Sequence, residues 1–574
     1  MKHQTHQVDF CIVGGGLSGM FAAIAAARHG ARVALMQDRP MLGGNASSEV
    51  RMWVCGAHGD SRRETGILEE VAMENHYRNP GYNYSIWDSI LYEKARFEPN
   101  ITLLLNCSCN DLTMEGNRIA AIKGWQTTTQ TWHTVEAALF ADCSGDSVLA
   151  PLSGAEYRVG REAAAEFNED IEPAEADRRT MGMSCLLQAR EMDSPQMYIP
   201  PTWAYRYPSE ADLPFRDHPL PRGNFWWIEL GGEQDSIHDT EEIRDELLKI
   251  TFGVWDHIKN HGDHGAENWA LEWVGFLPGK RESRRYMGDH ILTQNDVRAE
   301  GRFDDLVAYG GWTMDDHHPG GFNYPGHPTI FHPAPSPFGI PYRALYSRNV
   351  ANLFCAGRNI STTHAALSAT RVMATCAICG QAVGTAAAIA TREGLTPRGV
   401  YEQRIAELKQ TLMDDDCYLP FNVRQMPDLS RRASLSASEG DPEPLRNGLD
   451  RPVGGADNGW TGAVGSWVQY AFAQPETIRE LRFVLDSNLN RKTHNSVSNY
   501  PRDLQPQQVP ATMIRALRVE ALDADGRWVT VARLDNNYHR LVRLPVEVTT
   551  TAVRFIPEAT WGSDRAHLFS WDVR

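Results

Sequence analysis

The chain has 574 residues, 42% hydrophobic and 22% charged, which is the composition of a soluble globular protein with length for two or three domains. Its formal net charge of −17 argues against nucleic acid or an anionic membrane as a partner. The ten cysteines are scattered, most of them in apolar segments, Met1 to Val8 has no apolar core, and there is no run of 18 apolar residues, so a cytoplasmic protein with buried free thiols is expected.

The first element is an apolar strand from Asp9 to Val13 that runs into Gly14-Gly15-Gly16-Leu17-Ser18-Gly19 and an Ala-rich helix, followed by a second apolar strand over residues 32–36. The G-x-G-x-x-G spacing in a strand-turn-helix context is a dinucleotide-binding signature. Gly14 permits the tight turn, Gly16 the approach of a pyrophosphate, and Gly19 the packing of helix on strand, while Leu17 and Ser18 open the helix whose free N–H groups hold phosphate charge. After the second strand Gln37 stands where a carboxylate usually accepts ribose hydroxyls, with Asp38 one position later, and Gln37 retains an amide oxygen as acceptor. A second glycine turn follows, Gly43-Gly44-Asn45-Ala46-Ser47-Ser48-Glu49.

Arg51 to Gly59 comes next and contains His58, which closes a glycine-rich turn. Apolar runs over 101–105, 119–122 and 134–140, broken by Glu115-Gly116-Asn117, predict a β-meander with a hairpin. That meander leads into Leu139-Phe140-Ala141-Asp142-Cys143-Ser144-Gly145-Asp146. Far downstream stands Asn352-Leu353-Phe354-Cys355-Ala356-Gly357-Arg358-Asn359.

These motifs, in this order over residues 8–400, resemble the FAD-dependent oxidoreductases of the glutathione-reductase type, particularly the branch with the fumarate reductase flavoproteins and the bacterial FAD-dependent oxidoreductase family. The resemblance implies an α/β fold: a Rossmann-type FAD-binding domain in two segments, 1–150 and 341–425, with an inserted substrate or cap region at 151–340. It implies non-covalent FAD as cofactor, held by the glycine turns together with Asn45, Ser144, Gly145, Asp146, Gly357, Arg358, Asn359 and Arg371.

Within the inserted region, Trp203, Trp226, Trp227, Trp255, Trp269, Trp273 and Trp312 are either core or stacking surfaces for a ligand. His257, His261 and His264 have helical spacing, and a solvated polar helix end is the favoured reading over a metal site. Arg281, Arg284 and Arg285 form the densest positive cluster, suited to a substrate oxyanion or to an internal network with Glu282 and Asp289. Arg281 and Arg285 are taken as catalytic candidates. A Pro- and Gly-rich passage beginning at Asp315-Asp316-His317-His318 offers further histidines to the cavity.

His364, loosely matching the substrate-facing histidine of the fumarate reductase motif, is the leading candidate for proton acceptor, with His58 as a second. It precedes a small-residue stretch, 371–390, whose Cys376-Ala377-Ile378-Cys379 reads as a packed helix rather than a redox pair. Beyond a linker at 425–445, short strands over 466–472, 478–485, 516–522, 528–534, 541–545 and 552–556 predict an all-β jelly-roll sandwich at 440–574, similar to discoidin or galactose-binding domains.

The expected activity is abstraction of hydride from a small hydroxylated substrate, sugar-like or a hydroxy acid, with an unidentified electron acceptor as the second partner. Reduction of an activated double bond is the alternative enzyme, and a carbohydrate-binding scaffold with a vestigial flavin fold is the alternative of another class. No metal is expected, and the oligomeric state stays open.

Overall fold

The computed structural model describes residues 1–491 and 494–574. The chain divides into two compact units that alternate along the sequence. One comprises 1–57, 82–408 and 494–506, and the other 58–81, 409–493 and 507–574.

The first unit is built on a seven-stranded mixed sheet. Its strands are β1 (Lys2–Val13), β2 (Val33–Met36), β3 (Ile101–Leu104), β4 (Cys107–Glu115), β5 (Arg118–Gln126), β6 (Thr131–Asp142) and β7 (Leu353–Cys355). They lie in the order β3-β2-β1-β6-β5-β4, with β7 also paired to β6. β1, β2, β3, β6 and β7 are parallel, whereas β4, β5 and β6 form the predicted antiparallel meander. Its hairpin closes Glu115 on Arg118 through Gly116, whose φ of +61° is the left-handed conformation the turn requires.

The register of the parallel strands positions the site. Val13 is level with both Met36 and Asp142, and Asp142 with Cys355. Four strands therefore end on one line, and the segments that follow them open at one edge of the sheet. This is the crevice beyond the carboxyl ends of the strands, where β1 is flanked by strands on both sides and ligands bind in open α/β sheets.

Helix α1 (Leu17–Arg28) packs on a long helix, Met373–Glu393. Added Cβ atoms at Gly380 and Gly384 would meet the carbonyl oxygens of Ser18 and Ala22 at 2.0 and 2.1 Å, so the helices touch backbone to backbone. This contact explains the small-residue composition of the stretch. Met373–Glu393 is long and apolar enough to cross a membrane by composition, yet 94% of its most apolar window is buried in the protein. A separate core around helix Thr240–Asn260 takes Trp227, Trp255 and Trp269.

The second unit carries a seven-stranded antiparallel sheet, the all-β domain expected at the C-terminus. The predicted strands at 466–472 and 478–485 are one strand, Val468–Leu485, and those at 541–545 and 552–556 are one strand, Leu541–Thr560. The polar interruptions that suggested turns are register shifts between these two strands, at Ala471/Glu476 and Ile478/Glu480. Buried ion pairs run through this unit: Arg424 with Asp572, Arg482 with Asp450, Arg540 with Asp416, and Arg491 with Glu69. The last pair joins residues 422 positions apart, which places 58–81 in this unit, whereas the sequence put the start of the β domain at 440.

Candidate functional site

A cavity of about 560 Å³ opens at the carboxyl edge of the first unit's sheet, within the range of cofactor-binding pockets. One end is formed by Gly14, Gly16, Leu17, Ser18, Gln37, Asp38, Gly43, Gly44 and Asn45. The other is formed by Trp53, Trp226, Arg281, Trp312, Asp315, His317 and Arg371, with Ser144, Gly145, Asp146, Gly357 and Arg358 also lining the space.

The three glycines of the first turn divide by what a side chain would strike. A Cβ at Gly14 would lie 2.4 Å from the Cys143 backbone, and one at Gly19 would lie 1.8 Å from the Gly14 carbonyl oxygen. Both must be glycine for the protein to close on itself. At Gly16 the nearest atom is the Gly44 Cα at 3.9 Å, so the protein leaves room there, and the room faces the cavity. α1 starts at Gly16 with no side-chain cap and no acidic residue in its first turn, so its amides favour a phosphate.

Gln37 lines the cavity, but its amide oxygen accepts from the Gly15 N–H at 2.7 Å and its amide nitrogen donates to the Met41 carbonyl at 3.0 Å. It braces the glycine turn. Asp38 keeps an exposed carboxylate at the same end. Asp142, fully buried, accepts from the Ser144 and Leu149 amides and the Tyr286 hydroxyl, and so shapes the turn that carries Ser144, Gly145 and Asp146. Asp146 accepts from Lys280 Nζ at 2.9 Å and from Arg358 at 2.7 Å. Burial opposes its ionisation, but the Arg358 and Lys280 charges outweigh it and hold the carboxyl down to about 2.

Gly19 and Asn359, read as cofactor residues, do not line the cavity. Gly19 seats the helix, and Asn359 donates to the Asp142 carbonyl from the buried side.

The donor set fits a dinucleotide with a flavin-sized head. Arg358 and Arg371 both line the cavity, and the Nε of each is buried without a hydrogen-bond partner among the described residues. Met373 and Cys376 bring the uncapped start of the long helix to the same wall. An electron-rich ring would meet a positive helix end there.

At the aromatic end, His317 Nδ1 lies 2.6 Å from Glu229 and its Nε2 lies 3.3 Å from Asp315. Arg371 donates to the Asp315 carboxylate and carbonyl, while Arg281 donates to Ser184 Oγ and the Trp226 carbonyl and stands 3.4 Å from Glu229. Burial would raise the Glu229 and Asp315 carboxyls. Arg281 and, when protonated, His317 hold Glu229 below its usual range, and protonated His317 with Arg371 holds Asp315 below its own.

Three expected catalytic residues are placed elsewhere. His364 is buried with Nδ1 2.9 Å from Glu282 and Nε2 3.2 Å from Asp316, and it does not line the cavity. Burial disfavours its cation, but the two carboxylates overcome that and raise its pKa well above the ordinary value, so at neutral pH it is an imidazolium with no lone pair to accept a proton. Arg285 lies between Glu282 at 2.5 Å and Glu162 at 2.8 Å, an internal network of the kind weighed as the alternative. Asp289 is not part of it and pairs with Arg398. His58 is not among the cavity residues and belongs to the second unit. Arg281 alone of the four catalytic candidates lines the cavity.

The sequence flagged the passage holding His317 but not its partner Glu229, which no motif marks. Trp226 and Trp312 face the cavity, Trp227, Trp255 and Trp269 are core, and Trp203 is exposed. Cys376 donates to carbonyls at the helix start, and burial pushes its thiol up to about 12, so it is an inert packed thiol.

A protein-family model described as FAD dependent oxidoreductase matches residues 9–412. No curated protein matches the chain in sequence. Among solved structures, a geranylgeranyl bacteriochlorophyll reductase-like protein from Thermoplasma acidophilum aligns over 72% of this chain and 85% of its own at 12% identity, with a TM-score of 0.33. The family 32 carbohydrate-binding module of Streptococcus pneumoniae EndoD aligns over 25% of this chain and 97% of its own at 13% identity, TM-score 0.20. The family 32 module of Clostridium perfringens NanJ, solved with galactose, covers 25% and 95% at 9% identity, TM-score 0.19.

Proposed function

We propose, from the premise that this chain belongs to the FAD dependent oxidoreductase family, that it oxidises a small hydroxylated substrate, sugar-like or a hydroxy acid, by removal of hydride from the carbon bearing the hydroxyl. FAD, when bound, supplies the two-electron acceptor. Gly16, Ser18 and the second glycine turn would hold its phosphates, and Arg358, Arg371 and the start of Met373–Glu393 its ring.

The observation that carries this reading is that His317 lines the cavity and is paired from behind with the buried Glu229. Glu229 fixes the ring by accepting from Nδ1; in the neutral ring Nε2 is the atom to receive a hydroxyl proton, and the imidazolium so formed is the charged state that Glu229 and Asp315 stabilise. Asp315, 3.3 Å from Nε2, is held ionised by Arg371 and would favour the imidazolium formed. Trp53, Trp226 and Trp312 offer apolar faces to a sugar ring, and Arg281 offers a planar donor to a carboxylate or to vicinal hydroxyls.

The test is anaerobic bleaching of the flavin absorbance by a panel of sugars, polyols, uronates and hydroxy acids. Bleaching by at least one class, with loss of signal on replacing its hydroxyl by hydrogen, supports the reading. Bleaching by none of them while a chemical reductant still bleaches the flavin would refute it.

A further inference from the structure

Away from the flavin cavity, Glu210, His218, His257 and His264 each direct one ligand atom into a common space, all within 4.8 Å of one another. None of the four lines the cavity. They come from two places: Glu210 and His218 from the irregular segment before helix Thr240–Asn260, His257 from its last turn and His264 from the loop beyond it.

The protonation of two rings is fixed by their other nitrogen. His218 Nδ1 is 2.7 Å from the Arg216 carbonyl, and His257 Nδ1 is 2.7 Å from the Tyr207 carbonyl. A carbonyl oxygen only accepts, so both Nδ1 atoms carry hydrogen and, in the neutral ring, both Nε2 atoms present a lone pair. Those lone pairs point at a carboxylate oxygen: Glu210 Oε1 lies 3.6 Å from His218 Nε2 and 3.3 Å from His257 Nε2. His264 Nε2 is 3.3 Å from the same oxygen, buried, and makes no hydrogen bond among the described residues. With Glu210 Oε1 the two neutral imidazoles make three acceptor atoms facing one another, which repel unless a positive charge, a proton or a metal ion, lies among them.

The spacing selects the kind of charge. A tetrahedral ion with bonds of about 2.0–2.1 Å places its ligand atoms about 3.3 Å apart. The three edges that meet at Glu210 Oε1 measure 3.6, 3.3 and 3.3 Å, and the remaining separations stay within 4.8 Å, so small side-chain shifts bring the histidine nitrogens onto one ion. Backbone carbonyls on the far nitrogens of two ligands are the outer partners that orient metal-bound histidines. Glu210 is itself positioned by the turn in which the Ser209 N–H donates to Asp212 at 2.9 Å.

We propose that Glu210, His218, His257 and His264 form a tetrahedral site for a divalent transition-metal ion of the borderline type that imidazole and carboxylate select, zinc(II) being the fitting example. The four protein ligands complete the coordination shell, so the site is structural. It staples the segment around residues 207–218 to the end of helix Thr240–Asn260. Metal binding there adds to the stability of the fold. The polar helix end expected from the spacing of His257, His261 and His264 is thereby replaced by a ligand set in which His261 takes no part: its Nε2 lies 3.5 Å from Asp256 instead.

The experiment uses the full-length protein with its flavin, exposed to zinc(II), freed of loose metal and analysed by elemental mass spectrometry, with cobalt(II) as the spectroscopic probe. One zinc per chain and the intense visible bands of tetrahedral cobalt are expected. A strong chelator should lower the melting temperature without releasing flavin. The double variant His218→Gln/His264→Gln should lose the metal and the chelator effect while keeping its flavin absorbance. Glu210 has a side chain 67% exposed, so Glu210→Gln folds regardless and should weaken cobalt affinity by at least about tenfold. Absence of stoichiometric metal in the wild type, octahedral cobalt spectra, or unchanged affinity in Glu210→Gln would each overturn the proposal.

Discussion

Glu229 Oε2 and His317 Nδ1 lie 2.6 Å apart although they are 88 positions apart in the chain, and His317 lines the cavity that Arg281 and Arg371 also line. If Nε2 receives the substrate proton, His317→Gln should leave FAD bound and lower the rate of flavin reduction per bound FAD by about 10²–10⁴-fold. Glu229→Gln should lower it less, because the ring survives and only its orientation loosens. Stopped-flow reduction normalised to flavin content measures both, and a wild-type rate in His317→Gln would remove it from the chemistry.

Gly16 and Gly19 are expected to fail in opposite ways. An alanine at Gly19 drives its Cβ into the Gly14 carbonyl at 1.8 Å, so Gly19→Ala should be destabilised or insoluble. An alanine at Gly16 meets nothing closer than 3.9 Å, so Gly16→Ala should fold as the apoprotein with an unchanged melting temperature. It should bind FAD about 10–100-fold more weakly, the effect of roughly 1–3 kcal/mol of overpacking against the ligand. Flavin titration and thermal unfolding of the two apoproteins separate the cases.

His364→Ala removes the cation between Glu282 and Asp316 and leaves buried charge uncompensated. The expected cost is about 3–5 kcal/mol of stability, with reduction per bound FAD within about tenfold of wild type. A folded variant with the wild-type melting temperature and a thousandfold loss of turnover would restore His364 as the base.

Glu172 accepts from the Ala365 N–H at 2.7 Å, and burial, with Glu162 and Glu169 adding repulsion and His364 only partly offsetting it, raises its carboxyl to about 7. The folded state then binds more protons than the unfolded state between the ordinary carboxyl value near 4.5 and about 7. Stability from this group is present below that window and is lost as the pH rises through it. Glu172→Gln should flatten this slope, as read from denaturant midpoints at pH 5 and pH 7. An unchanged slope would assign the pH dependence to other groups.

FAD is expected to be held without a covalent bond. The turn at Asn45 to Ser48 offers no histidine, cysteine or tyrosine, and of the cysteines that line the cavity Cys107, Cys109, Cys143 and Cys376 have thiols that burial pushes up and keeps protonated. Acid precipitation should leave the yellow chromophore in the supernatant, and colour in the pellet would contradict this.

The cofactor end of this site was legible in the chain because each of its parts is local. Gly14, Gly16 and Gly19 signal a strand-turn-helix by spacing alone, and the segments at 139–146 and 352–359 signal two further strands that end in turns. The β-rich C-terminal region was legible for the same reason, by alternation and turn residues, although interruptions that are only shifts of register looked like strand ends. What the sequence could not reveal is which polar groups neutralise one another. His364 and Arg285 looked chemical because they are a histidine and an arginine near flavin motifs, and only the approach of Glu282, Glu162 and Asp316 from distant segments shows that their charges are consumed inside the protein. His317 gains its partner Glu229, and His257 gains Glu210 and His218, by the same kind of long-range meeting. Backbone geometry is written in runs of neighbouring residues, whereas the charge a buried side chain carries is set by whatever the rest of the chain packs around it.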